Sequence, residues 1–254
     1  MVSVYRVFTA LREIANKEQK GFVTPAVFNS FAQMAQMNVY NELFEELSLN
    51  KRRRNRQEGA PRYLNGRKMV MEDLAYFVKV DSLTSDSNIF DKPTDLSRII
   101  SIESNSNTAG SGDAYMQDSG SFTLNKCELV YNMEQANLLL NSNLSAPTSN
   151  FPVCLVHDRL EVFPTSQTNI KIVYYRTPGS YRRNGTTSQA SPNFGYSLIS
   201  GVENEYLFDP DTSLDFMLPP HMFPEIVFEM GKLIGIRLRD SDLQEFSQNE
   251  EAAK

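Results

Sequence analysis

Residues 152–178 read PVCLVHDRLEVFPTSQTNIKIVYYRTP. The runs PVCLV (152–156) and LEVFP (160–164) are rich in β-branched and aromatic side chains, and the three polar residues between them predict a tight hairpin loop. A third run, IKIVYYRTP (170–178), predicts another strand. The stretch therefore indicates an antiparallel meander. It decides the fold class, because the segments on both sides of it have helical periodicity.

The flanking segments repeat apolar residues at steps of three and four. Residues 2–18 predict an amphipathic helix. Thr24 and Pro25 then mark the start of a second helix, since threonine caps free N–H groups and proline is tolerated at the first helical position. An apolar stripe continues this helix to Leu47. Residues 221–238 predict the last long helix.

The regions between these helices and the meander are mixed. Glycine and proline in residues 58–67 predict a loop, and residues 69–79 predict a short helix. The run SRIISIES (97–104) predicts a strand, and the apolar spacing near 126–141 predicts a further helix.

Together these patterns predict an α+β protein, in which N- and C-terminal helices form a bundle around an inserted antiparallel β module. The expected divisions are an N-terminal helical region at 1–96, a β-rich module at 97–215 and C-terminal helices at 216–254. Two long polar loops, at 105–122 and 179–196, are expected within the β-rich module. Loops of this length are usually functional or disordered.

Composition places the chain among globular proteins. It has 254 residues, of which 41% are apolar and 22% charged. No run approaches the roughly 18 apolar residues of a membrane helix, so no membrane contact is expected. Residues 1–68 contain 12 basic and 6 acidic side chains (+6), and the remainder contains 13 and 25 (−12), which gives the net charge of −6. This asymmetry suits stacked or adjacent copies, or an acidic partner.

Features of sorting and redox chemistry are few. The N-terminal stretch is charged within its first turns and has no small-residue cleavage site, so an intracellular site of synthesis is expected. Cys127 and Cys154 lie in apolar contexts without a partner at metal-ligand spacing. They are predicted to be buried free thiols.

Signals for catalysis are thin. His157 lies in the predicted hairpin turn, and His221 follows two prolines at a helix start, so both suggest turn or capping roles. The sequence contains no G-x-S-x-G elbow and no phosphate-binding loop. No catalytic residue and no cofactor is predicted.

The best candidate for a metal site is DPDTSLD (209–215). Asp209, Asp211, Ser213 and Asp215 stand at alternate positions, as calcium-loop ligands do. However, the sixth position is Leu214 instead of glycine, and the twelfth is Pro220 instead of glutamate. A solvated acidic turn is the favoured interpretation, and no metal site is predicted.

Basic side chains cluster at two places, which we take as candidate interface residues. They are Lys51, Arg52, Arg53, Arg54 and Arg56 in the first cluster, and Arg182 and Arg183 in the second. The open interpretations are a solvated helix end, a contact with protein and a contact with nucleic acid. Because no aromatic residue interleaves with the first cluster and the whole chain is acidic, protein is favoured over DNA.

The order of these segments resembles a known class of protein. The segments on which this resemblance rests are GFVTPAVFNSFAQMAQMNVYNELFEEL (21–47), DLAYFVKVDS (73–82), DKPTDLSRIISIES (91–104), FPVCLVHDRLEVFPTSQTNIKIVYYRTP (151–178) and FPEIVFEMGKLIGIRLRDSDLQEF (223–246). Across about residues 20–245 the chain resembles the virion structural proteins of short-tailed phages, especially crAss-like phages. Among these it is similar to the adaptor or ring proteins of the head-to-tail connector.

The resemblance implies a non-enzymatic protein of the virion neck or tail. It implies a ring of about twelve copies that docks on the portal protein and on neighbouring ring or tail proteins. Genomic DNA would pass through the channel without specific binding. The basic cluster at 51–56 is then expected to contact an acidic surface on an adjacent subunit or on the next ring.

Three other functions stay open at this stage. A tail-tube or other tail subunit would use the β module for sheets between subunits. A DNA-binding protein would use residues 51–56 together with Arg182 and Arg183, and its affinity would fall steeply with salt. A small hydrolase or peptidase would need a paired site that the sequence does not indicate.

Overall fold

The structure, a computed structural model, describes residues 1–17, 23–56, 61–105, 124–182, 186–198 and 206–238. For residues 17, 49–56, 61–67, 105, 124 and 236–238 it describes the backbone alone. The chain is a mixed α+β protein.

The helices are α1 (Val4–Lys17), α2 (Pro25–Arg56), α3 (Pro61–Ala75), α4 (Met133–Leu140) and α5 (Phe223–Leu238), with a 3-10 helix at Pro220–Met222. The strands are β1 (Val78–Thr84), β2 (Ile89–Phe90), β3 (Leu96–Asn105), β4 (Leu124–Lys126), β5 (Glu128–Val130), β6 (Val153–Val156), β7 (Leu160–Phe163), β8 (Asn169–Arg176), β9 (Ser180–Tyr181), β10 (Thr187–Ser188), β11 (Tyr196–Leu198), β12 (Tyr206–Phe208) and β13 (Asp215–Phe216).

The chain divides into two compact units. The first, which we call the helical unit, combines Met1–Tyr76 with Pro178–Lys254, and the second, the sheet unit, is Phe77–Thr177. These divisions differ from the expected ones at 97 and 215. β1 and β2 belong to the sheet unit because they pair with β8 and β7, whereas β9 and β13 pair with each other inside the helical unit.

The second helix starts as predicted. The Thr24 hydroxyl accepts a hydrogen bond from the Val27 N–H at 3.3 Å, and Pro25 is the first helical residue. The helix does not end near Leu47, however, but continues through the basic residues to Arg56. Lysine and arginine are good helix formers, so they can extend a helix beyond its apolar stripe.

The predicted loop at 58–67 is wrong for most of its length, because α3 begins at Pro61. Proline at the first helical position starts a helix as readily as it interrupts one. The predicted end near residue 79 is also wrong, since α3 ends at Ala75 and β1 follows at Val78.

In the helical unit, α2 packs against α3 and α5, and α1 packs against α5. Aromatic rings fill the space beside α1 and α2. The rings of Phe8 and Phe28 meet edge to face at 5.5 Å, and Phe194 lies 4.3 Å from Phe8. The predicted loop at 179–196 thus contributes a core residue, and it also contains β9, β10 and the start of β11.

Amide side chains of α2 hold this irregular segment in place. Gln36 is fully buried, and its Nε2 donates to the carbonyls of Pro178 at 3.2 Å and Gly179 at 2.6 Å. Its Oε1 accepts from the Met217 N–H at 2.8 Å. About two turns earlier on the same helix, Asn29 exchanges two hydrogen bonds with the backbone of Phe194.

The sheet unit contains two four-stranded sheets, ordered β1-β8-β3-β4 and β2-β7-β6-β5. Their buried residues form one shared core: Phe90, Ile102, Cys127, Cys154, Leu160, Val162, Ile170, Ile172 and Tyr174. The predicted hairpin is confirmed, since β6 and β7 pair antiparallel. The predicted meander is wrong, because β8 pairs with β1 and β3 in the other sheet and contributes alternate side chains to the shared core.

The helix predicted near 126–141 is only partly correct. Residues 124–130 form β4 and β5, and helix α4 starts at Met133. The Asn132 side chain accepts from the Glu134 N–H at 2.9 Å and caps the helix there. The strand predicted at 97–104 is confirmed as β3. Of the predicted loop at 105–122, residues 106–122 lie outside the described ranges.

Candidate functional site

The most chemically dense cluster of the sheet unit joins three side chains. The Tyr174 hydroxyl donates to Asp95 Oδ1 at 2.6 Å, and Lys79 Nζ donates to Asp95 Oδ2 at 3.1 Å. Tyr174 and Asp95 are buried, while the Lys79 side chain remains partly exposed. The cluster therefore links β1 and β8 to the segment just before β3.

The electrostatics of this cluster favour stable charges over reactivity. Burial and the hydrogen bond to Asp95 raise the pKa of Tyr174 to about 12. Burial opposes the charged forms of Asp95 and Lys79, but their hydrogen bonds outweigh it, so the pKa of Asp95 is lowered and that of Lys79 is raised. At neutral pH these groups are a phenol, a carboxylate and an ammonium that satisfy one another. We interpret the cluster as structural.

The two cysteines are buried and free, as predicted. Burial raises the pKa of the Cys127 thiol to about 11 and that of Cys154 to about 12. A nucleophilic cysteine needs a lowered pKa and access to solvent. These thiols thus have the properties of core residues.

Both histidines contact carboxylates. His157 lies in the turn between β6 and β7, where Nδ1 contacts the Asp158 carboxylate. His221 lies in the 3-10 helix, and its Nε2 is 2.8 Å from Asp73 Oδ1 of α3. The predicted turn position of His157 is confirmed, and His221 ties the start of α5 to the end of α3.

In the acidic turn at 209–215, the carboxylates of Asp209 and Asp215 accept hydrogen bonds from the protein itself. Asp209 Oδ1 accepts from the Asp211 N–H at 3.0 Å, and Oδ2 accepts from the Thr212 hydroxyl at 2.8 Å. The hydrogen bond from Thr212 is the main cause that lowers the pKa of Asp209. Asp215 accepts from the Val4 N–H at the start of α1. Within the described ranges, no three histidine, cysteine or acidic side chains are grouped to hold a metal.

The first basic cluster lies on a helix instead of after one. The backbone of residues 51–56 is the last part of α2, and their side chains lie outside the description. α3 contacts α2, and the first half of α3 contains three further basic residues, Arg62, Arg67 and Lys68. The sequence did not place these α3 residues beside the first cluster, because residues 58–67 were predicted to be a loop.

The second basic cluster begins directly after β9. Arg182 follows β9 and is exposed, and its N–H donates to the Thr186 carbonyl at 2.8 Å, while Arg183 lies outside the described ranges. Gly179, nearby in sequence, contacts Gln36, which is roughly 22 Å along α2 from Lys51.

No protein-family model and no curated protein matches the chain. Among the helices that the structure describes, none has the length and apolarity needed to cross a membrane.

Several large apolar side chains of the sheet unit are exposed. They lie in and around α4: Tyr131, Met133, Leu138, Leu144 and Phe151. Leu138 is 75% exposed, although it falls in the helix predicted near 126–141, and Leu144 is 95% exposed. The opposite side of α4 is packed, since Ala136 and Leu139 contact Val153 and Leu155 of the sheet. We call residues 131–151 the α4 segment.

The helical unit has a second such feature in the ribbon of β11 and β12. These strands pair only with each other among the described strands, in a two-stranded sheet. Leu198 is 69% exposed and Leu207 is also exposed. The base of the ribbon is anchored, because the Phe208 ring lies 4.7 Å from Tyr5. An isolated two-stranded ribbon is marginally stable in water, so a covering partner would stabilise it.

Proposed function

We propose that this protein is a non-enzymatic structural subunit of a phage virion that forms a ring in the head-to-tail connector, below the portal. The ring contains about twelve copies related by rotation. It serves as a conduit for the genome, which passes through the channel without specific binding. In this proposal the N- and C-terminal helices form the bundle of each subunit, and the β-rich segment is an insertion between them.

The observation that supports this proposal most directly is the exposed apolar surface of the α4 segment and of the β11–β12 ribbon. Exposed apolar side chains that cluster often mark contacts with partners, and in the α4 segment five of them fall within 21 residues of sequence. Leu144 and Phe151 lie in irregular chain after α4, and Phe151 is held there by a mutual pair of backbone hydrogen bonds with Thr148. These side chains are thus presented on ordered backbone.

Two features of the sequence add support. One is the resemblance of the segment order to connector proteins of short-tailed phages. The other is the opposite charge of residues 1–68 and of the remainder, which suits head-to-tail contacts between identical copies. Contacts of this heterologous type close into rings when the rotation between neighbours divides a full turn.

The proposal is tested by native mass measurement of the purified protein, alone and mixed with the portal protein of the same phage, followed by negative-stain imaging. We expect rings, or monomers that become rings on the portal. A protein that stays monomeric and does not bind the portal at any concentration tested would exclude the connector function.

A tail-tube subunit is the second candidate, and the edge of one sheet favours it. Among the strands that the structure describes, β1 is at the edge of its sheet and pairs over seven residues with β8 alone. A tube subunit would extend the sheet across this edge to a neighbour. Assembly of the purified chain into open tubes instead of closed rings would favour this alternative.

A further inference from the structure

The joined ends of α2 and α3 concentrate positive charge. Residues 49–68 contain eight basic side chains and one acidic side chain, Glu58, so their charge is +7 and the rest of the chain carries −13. α2 ends at Arg56 and α3 begins at Pro61, and the two helices pack against each other. We call residues 51–56 and 62–68 the basic helix ends.

The cations at the end of α2 occupy positions on every side of the helix. At about 100° per residue, positions 51, 52, 53, 54 and 56 leave no side of the helix without a basic residue. Like charges three and four positions apart, such as Arg52 and Arg56, destabilise a helix. In α3, the Glu72 carboxylate offsets part of this positive charge, because its Oε1 lies 3.7 Å from Lys68 Nζ. An external anionic partner would relieve the remaining repulsion.

The described contacts of α5 show that it runs away from the basic helix ends. Near its start, His221 contacts Asp73, which lies at the far end of α3. Further along, Glu229 accepts from the Asn38 side chain at 2.5 Å, and Asn38 is about 27 Å along α2 from Arg56. By its last residue, Leu238, α5 is about 40 Å from Arg56 along the direction of α2.

The sequence after α5 is acidic. Residues 240–254, DSDLQEFSQNEEAAK, contain five acidic side chains and one lysine. The helical unit therefore has its strongest cationic cluster where α2 ends and α3 begins, and an anionic segment follows the end of α5. A segment of this length reaches about 50 Å only when it is fully extended, so contact with its own basic helix ends would need almost complete extension. A neighbouring copy whose C-terminal end lies beside these helix ends would need no such extension.

We propose that the basic helix ends of one copy bind the acidic segment 240–254 of the next copy. This inference rests on the proposed ring, and it identifies the contact that orders its subunits head to tail. A contact between clusters of opposite charge is strengthened at low salt and screened at high salt. Nucleic acid is the competing partner for the basic helix ends, but the charge of −13 on the rest of the chain would repel phosphates.

The test uses two charge-reversed variants of the full chain. One carries Arg52→Glu, Arg53→Glu and Arg54→Glu, and the other carries Asp240→Lys, Asp242→Lys and Glu245→Lys. We expect each variant alone to self-associate at least about tenfold more weakly than the wild type in low salt, by sedimentation or native mass. We expect an equimolar mixture to recover association, because the reversed ends then complement each other in alternation.

Several outcomes would overturn this inference. If a single chain carrying both sets recovers association but the mixture does not, the contact forms within one chain. If both variants form rings as the wild type does, the inference fails and the proposed ring stands. If the wild type itself never forms rings, the proposed function is refuted. If only the arginine variant loses binding to duplex DNA and neither variant changes association, the partner is nucleic acid. A control with Arg12→Glu and Lys126→Glu, both exposed, should associate like the wild type.

Discussion

The carboxylate of Asp215 accepts a hydrogen bond of 2.8 Å from the backbone N–H of Val4, although 211 residues separate the two. Next to this bond, Val2 and Phe216 form a β-bridge. The negative side chain lies at the start of α1, where free N–H groups and the positive end of the helix dipole favour an anion. The start of the first helix is thus held by a strand that follows the β11–β12 ribbon.

Replacement of Asp215 by alanine should lower the free energy of unfolding by about 1 kcal/mol, because an N-terminal N–H of α1 loses its acceptor. Urea unfolding followed by circular dichroism measures this change. Asp211→Ala is the matched control, since Asp211 is exposed and its described hydrogen bond is made by its backbone. Equal stability of the two variants would contradict the proposed role of Asp215.

Gln36→Leu should destabilise the helical unit by about 2 kcal/mol or more. The change leaves the Met217 N–H and the Gly179 carbonyl without their partner in a buried position, and unsatisfied buried groups are costly. Gln33→Ala, on the same helix and only partly buried, should cost less. Comparable losses in both variants would indicate that helix packing, rather than the buried amide, explains the effect.

Asp95→Asn should destabilise the sheet unit by about 2 kcal/mol at pH 7, since Lys79 and Tyr174 lose a charged acceptor. The pKa of Asp95 is lowered in the folded state, so its contribution is present above the ordinary carboxyl pKa and is lost as pH falls through the folded-state value. The difference between wild type and variant should therefore be largest near neutral pH and shrink below about pH 4.

Denaturation curves at pH 7 and pH 3 measure this dependence. Asp81→Asn is the control, because Asp81 lies 3.8 Å from Lys79 and is partly exposed. A gap between wild type and Asp95→Asn that is independent of pH would show that the carboxylate charge is not the stabilising feature.

Both thiols should resist alkylation in the folded protein. Because burial raises the pKa of Cys127 to about 11 and that of Cys154 to about 12, the thiolate fraction at pH 7.5 is very small. Labelling with a maleimide, followed by intact mass, should be at least about 100-fold slower in native buffer than in concentrated urea. Rapid native labelling would mean that the core of the sheet unit opens readily.

Leu138→Ser should leave the stability of the isolated chain within about 0.5 kcal/mol, because the side chain is largely exposed, but should weaken assembly if the α4 segment is an interface. Leu139→Ser is the matched contrast, since Leu139 packs against the sheet and its loss should destabilise the unit. Ring formation on the portal is the readout. Full assembly of the Leu138 variant would exclude this residue from the interface.

Local features of the fold were predictable from sequence, and long-range pairings were not. The β6–β7 hairpin and the Thr24–Pro25 helix start depend on neighbouring residues, and both are confirmed. The partners of β8 come from residues 78–84 and 96–104, and no local pattern distinguishes them from β7.

The same limit applies to the candidate sites. The sequence identified the basic residues at 51–56 but not their position on a helix, because the apolar stripe ends earlier. It also placed Leu138 among helical apolar residues without indicating that α4 buries Ala136 and Leu139 instead. A helix of eight residues offers too few turns for periodicity to define a face.

The division of the chain into units has a consequence for biosynthesis. The sheet unit is one continuous stretch, whereas the helical unit needs residues on both sides of it. During translation α1, α2 and α3 leave the ribosome first, but α5, the acceptors on Gly179 and Asp215 and the ring of Phe194 are made more than 100 residues later. The nascent chain therefore completes the sheet unit first, while the apolar faces of the early helices await their partners and need protection from aggregation.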